Sequence, residues 1–175
     1  MNLPNFLSVS RIVFLIPIII FFENDLFLFS ASTFILASIT DYLDGYLARK
    51  NKQTSDLGAF LDLMADKIFI STLLIWMTFN FDSLTILVSS ILIICREISI
   101  SYLRVFIVSR LGNKAKVKSD LLGKYKTTIQ MIGLGFILIS PIASDAVFIL
   151  SLTLLFLSAV LSWYSFFHYL NKWIV

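Results

Sequence analysis

Six long apolar stretches, joined by short polar loops, constrain this 175-residue chain more than any other feature. They cover approximately residues 7–22, 27–48, 58–80, 84–109, 125–142 and 146–170. Each approaches the roughly 20 mostly apolar residues that cross a hydrocarbon core of about 30 Å. With 58% hydrophobic residues and a mean hydropathy of +0.91, the chain has more apolar surface than a soluble domain, at roughly 45–50% apolar, can bury. Lone backbone amides cannot be left in lipid, and no alternating barrel strands are seen, so the stretches are predicted to be helices. The expected fold is an all-α membrane protein: six transmembrane helices in one bundle, a single domain over 1–175, led by a short interfacial segment around Asn2, Pro4 and Asn5.

Loop charge orients the bundle. Arg49, Lys50 and Lys52 fill one loop, and Arg110, Lys114, Lys116, Lys118 and Lys124 lie in or beside another. The loops between hold only Glu23, Asp25, Asp82 and Asp145. Positive charge stays on the cytoplasmic side, so both termini are predicted to be cytoplasmic. Residues 1–10 lack a basic n-region and a cleavage site, and are not expected to be a cleaved signal peptide. The net charge of +3 sits beside the spans, where it determines topology and favours anionic lipid rather than nucleic acid. A lone Cys95 excludes an internal disulfide or multi-cysteine metal site. The lone His168 and the tryptophans Trp76, Trp163 and Trp173 suit interfacial packing.

Against this background, DYLDGYLARKNKQTSDLGAFLDLMAD, residues 41–66, holds five of the eleven acids. Asp41, Asp44, Asp62 and Asp66 fall inside apolar helices, where an ionisable group costs at least about 2–3 kcal/mol and marks function by default. Residues three or four apart share a helix face, so Asp41 pairs with Asp44 and Asp62 with Asp66. A hairpin tip near residues 53 and 54 brings Asp41 level with Asp66 and Asp44 with Asp62. Four converging carboxylates need a cation, and an all-oxygen donor set suits Mg²⁺ or Mn²⁺, with room for two ions. Gly45 and Gly58 permit close approach, and Arg49 could pair with a diphosphate. On spacing alone, a salt network using Lys67 and Arg49, or an ion or proton path, stays open.

The pattern D-x-x-D-G-x-x-A-R, eight residues, then G-x-x-x-D-x-x-x-D is supplied by Asp41, Asp44, Gly45, Ala48, Arg49, Gly58, Asp62 and Asp66. It resembles the signature of the CDP-alcohol phosphotransferases. NLPNFLSVSRI, CREISISYLRVFIVSRLG and LLGKYKTTIQM extend the likeness over most of the chain, toward the branch that makes phosphatidylglycerophosphate. Leu63 departs from that branch's proline, and Val105 from its acid after Leu103-Arg104.

The resemblance implies transfer of a phosphatidyl group from CDP-diacylglycerol to glycerol 3-phosphate in a bacterial plasma membrane, with the site facing the cytoplasm. It implies that Asp41, Asp44 and Asp62 hold metal, that Asp66 lies near the metals as general base, and that Asn5, Asp44, Gly45, Arg49 and Ser55 contact the cytidine diphosphate. Family members are usually homodimers. A dianionic acceptor needs a cationic site, for which Arg96, Arg104, Lys124 and Lys126 are the candidates. Arg96 lies about a dozen residues inside its span, where a purely structural arginine is expensive. Glu97, seven residues from Arg104 on one face, is a candidate partner for it. GKYKTT is no P-loop, because Lys118 stands where the first glycine is needed and Tyr125 follows Lys124 where Ser or Thr is required. Within the family, a cardiolipin synthase or phosphatidylserine synthase type of acceptor is the alternative.

Overall fold

The computed structural model describes the backbone of residues 3–50, 56–111 and 121–174, and the side chains of 10–40, 58, 60–61, 63–107, 109–110 and 125–171. It contains six long helices and, among the described residues, no strand: α1 (Leu3–Glu23), α2 (Phe27–Lys50), α3 (Asp56–Asn80), α4 (Leu84–Leu111), α5 (Leu121–Ile139) and α6 (Asp145–Ile174). A 3₁₀ turn, Ser140–Ile142, closes α5. The helices follow the six expected stretches, with ends displaced by a few residues. The interfacial lead-in is continuous with α1, whose first turn contains Pro4, a position where no amide hydrogen bond is lost.

Polarity is distributed as lipid demands. Val13, Ile16, Ile35, Leu36, Ile91, Val105, Ile149 and Phe167 are exposed, while Ser30, Ser89, Ser90, Ser151, Ser158, Ser162 and Ser165 are buried between helices. Large apolar side chains outward and small hydroxyls inward is the packing of membrane helices, which gain from close approach and internal hydrogen bonds. Leu63–Asn80, Leu84–Ile107 and Asp145–Asn171 are long and apolar enough to span, and Phe27–Thr40 is a shorter apolar run. The remainder of α2 carries Asp41, Asp44, Arg49 and Lys50, which interrupt its apolar character.

The helices pack as a closed ring in the order α1, α2, α5, α6, α4, α3. One end is closed by tight loops. The α1–α2 connection is a Schellman-type turn in which Leu26 N–H donates to the Phe21 carbonyl (2.8 Å) and Asp25 N–H to that of Phe22 (3.0 Å). Asp25, at φ 60°, occupies the left-handed position usually given to glycine. Beside it, the Phe22 ring meets Phe27, Trp76 and Phe81 edge-on at 4.9, 4.9 and 5.8 Å, and Phe81 stacks on Phe148 at 5.6 Å. Trp76 Nε1 donates to Glu23 at 3.1 Å. Gly133 lets α5 lie against α6, because a Cβ there would meet Leu155 N and Leu154 Cβ at 3.3 Å. At the opposite end stand Leu3, Lys50, Asp56, Leu111, Leu121 and Ile174, the helix ends from which the basic loops and the termini continue.

Candidate active site

Toward the basic-loop end the ring of helices encloses a cavity of about 230 Å³. Helix α3 supplies Asp66 and Lys67, and α4 supplies Arg96, Glu97 and Arg104. Helix α5 adds Lys126 and Gln130, and α6 adds Ser165 and Tyr169. The spacing explains why each helix aims several groups inward: Arg96, Ile100 and Arg104 recur every four residues on α4, as do Lys126 and Gln130 on α5.

Glu97 is the hub of this wall. Its Oε1 accepts from Arg96 Nη1 at 2.8 Å and from Lys126 Nζ at 2.5 Å, so one carboxylate spans α4 and α5. Lys67 Nζ donates to the Glu97 main-chain carbonyl at 3.1 Å and to the Ser101 hydroxyl, joining α3 to α4. Arg96 Nε donates to the Ser162 carbonyl at 3.0 Å and so holds α6. Arg96 and Lys126 are 6% and 3% exposed, which only such pairing makes tolerable in a membrane interior. Arg104 differs. Its Nε is buried without a hydrogen-bond partner among the described residues. The sequence-based pairing of Arg104 with Glu97 is therefore replaced by pairs of Glu97 with Arg96 and Lys126. The α4 helix directs the Glu97 carboxylate toward α5, and Lys126 reaches it from across the cavity. Four cations (Lys67, Arg96, Arg104, Lys126) face two carboxylates (Asp66, Glu97) on the lining, a formal excess of two positive charges.

Three of the four acceptor candidates thus share one cavity with Asp66. The Lys124 side chain lies outside the described residues, as do the side chains of Asn5, Asp41, Asp44, Arg49 and Asp62, the contacts of Gly45, and Ser55 entirely. Among the described residues no three metal-binding side chains come together. Helix positions still carry information. Phe34 of α2 stacks on Phe69 of α3 at 6.0 Å, and seven residues nearer the basic loops on each helix stand Asp41 and Asp62. These two positions are about level, roughly 10 Å below the stack at 1.5 Å per residue. That shifts the pairing by about one turn from the level of Asp66, which a symmetrical hairpin predicts; α2 and α3 each pack on α1, and the α2–α3 loop alone does not set their register.

Lys67 and Glu97 are site residues that sequence reasoning treated only as pairing partners. The rule that singled out the aspartates, an ionisable group inside an apolar span, applies to both. Gln130, Ser165 and Tyr169 carry no such signal.

The model of the CDP-alcohol phosphatidyltransferase family matches residues 1–167. The chain belongs to that family. Curated relatives are similar over nearly their whole length. Proteins named CDP-diacylglycerol–glycerol-3-phosphate 3-phosphatidyltransferase are 38% identical in Haemophilus influenzae, over 97% of this chain and 92% of the relative. Those of Sodalis glossinidius and Yersinia pestis are each 37% identical, over 97% and 98% of this chain and 93% and 94% of the relative. This family member is accordingly a membrane-embedded transferase; of its signature aspartates, Asp66 lines the cationic cavity, and Asp41, Asp44 and Asp62 hold positions on α2 and α3.

Proposed function

We propose that this family member transfers the phosphatidyl group of CDP-diacylglycerol to glycerol 3-phosphate, releasing CMP and forming phosphatidylglycerophosphate. The observation that carries the proposal is the single cavity that joins Asp66 to Arg96, Arg104 and Lys126, with two positive charges in excess. A phosphate dianion matches that excess, and its oxygens would satisfy the buried Arg104 Nε. The activity named for the relatives in Haemophilus influenzae and Sodalis glossinidius supports the same acceptor. A neutral or zwitterionic acceptor has no need of several converging cations.

Asp66 takes the proton of the acceptor's primary hydroxyl. The freed oxygen attacks the lipid-side phosphorus, and the bond from that phosphorus to the CMP oxygen breaks. Arg104, Lys126, Arg96 and Lys124 hold the acceptor phosphate, while Asn5, Asp44, Gly45, Arg49 and Ser55 hold the cytidine diphosphate. The donor set of Asp41, Asp44, Asp62 and Asp66 is all carboxylate on two consecutive helices, which fits Mg²⁺ or Mn²⁺, and two ions are proposed. When bound, such ions neutralise the diphosphate and polarise the reacting phosphoryl group. Further parts of the proposal are a homodimer in a bacterial plasma membrane, as a single domain over 1–175, with site and termini facing the cytoplasm.

The test is to incubate purified protein with CDP-diacylglycerol, Mg²⁺ and one acceptor at a time, measuring CMP and the lipid formed. Glycerol 3-phosphate should give both. Product only with serine or with phosphatidylglycerol would overturn the acceptor assignment.

A further inference from the structure

The cavity is lined by two kinds of polar group: the charged Asp66, Lys67, Arg96, Glu97, Arg104 and Lys126, and neutral ones that include Gln130 of α5 and Ser165 of α6. These two residues are 5% and 3% exposed and line the cavity, so their polar groups are available to whatever fills it. The phosphate chemistry above does not use them. Methionine or leucine would fill the same place in an apolar bundle, as Met131 does next door. Gln130 stands four residues from Lys126 on the same helix face, about 6 Å along the axis. That is the reach of a three-carbon phosphate whose anionic end lies among Lys126 and Arg104.

We propose that Gln130, assisted by Ser165, binds the middle hydroxyl of the acceptor, the one that does not react, and so makes the site selective for a glycerol phosphate over a simple alkanol phosphate. The proposal rests on the acceptor assignment above and deepens it. An amide can donate to and accept from one hydroxyl, and Ser165 offers a second partner from the facing helix. A site built to hydrogen-bond a hydroxyl rejects the analogue that lacks it, because its own polar groups are then left unsatisfied.

The experiment compares kcat/KM for glycerol 3-phosphate and 3-hydroxypropyl phosphate. The latter keeps the phosphate and the attacking primary hydroxyl and lacks only the middle one. Wild-type protein should prefer glycerol 3-phosphate by at least about 100-fold. In Gln130→Met the preference should fall below about 10-fold, and Ser165→Ala should reduce it by about threefold. Turnover of 3-hydroxypropyl phosphate doubles as the proof that a variant is folded. Where Gln130→Met is inactive with both, Gln130→Asn, which withdraws the amide by one carbon, is read by the same ratio. A wild-type ratio near one, or an undiminished ratio in an active Gln130 variant, overturns the proposal and leaves the acceptor assignment standing. Wild-type protein that ignores glycerol 3-phosphate and turns over another acceptor overturns both.

Discussion

The two ends of this bundle solve opposite problems with the same six helices. At the tight-loop end, Phe22, Phe27, Trp76, Phe81 and Phe148 interlock, and the polar contact of Trp76 with Glu23 lies at the exposed rim. At the basic-loop end the helices stand apart around a cavity lined by six charged side chains, held in place by Glu97. The first end gains stability from ring packing, which in lipid must come from contact and dispersion rather than from expelling water. The second spends stability on desolvated charge, which persists only because the groups pair or because a substrate completes them. Function is to be sought where packing is given up.

Substitutions can break or sharpen this contrast. The largest effect is expected for Asp66→Asn: kcat should fall about 10³-fold, within the usual range for loss of a general base, while the thermal midpoint of the purified protein stays near wild type. Near-normal turnover would remove Asp66 from that role. Arg104→Gln comes next, since this half-buried guanidinium has a buried, unpartnered Nε. It should lower kcat/KM for glycerol 3-phosphate about 50-fold, mostly through KM, and leave the KM for CDP-diacylglycerol within about twofold, in line with a lost charged hydrogen bond. An equal loss for both substrates would mean that Arg104 serves the fold.

At the other end the signature should invert. Phe22→Ala removes three edge-on ring contacts, and is expected to cost about 3 kcal/mol of stability in detergent, with turnover per folded molecule unchanged. A drop in specific activity without a change in unfolding would show that the two ends are coupled. The smallest effect belongs to Trp76→Phe, which keeps the ring and loses the exposed hydrogen bond to Glu23. Thermal unfolding should register no more than about 0.5–1 kcal/mol, and a larger loss would make that rim contact a structural clamp.

Much of the architecture was legible in the residues because its causes are local. Hydropathy marks the apolar stretches whatever their neighbours, and a helix puts residues three or four apart on one face, so the carboxylate pairs of 41 and 44 and of 62 and 66 follow from spacing. The family, too, is visible in that one run. Partnership across the bundle is different in kind. That Glu97 holds Lys126, 29 residues away, and that Arg96 reaches the Ser162 carbonyl, 66 residues away, depends on how α4, α5 and α6 pack. The same holds for the offset of α2 against α3 and for Gln130 and Ser165, which are unremarkable polar residues until four helices enclose them. Apolar length and helical period by themselves determined a helical membrane protein with acids in its second and third spans. Only the tertiary structure decided which charges cancel, which guanidinium keeps an unpartnered Nε, and what the cavity presents to a substrate, because side chains distant in sequence meet only once the helices are in place.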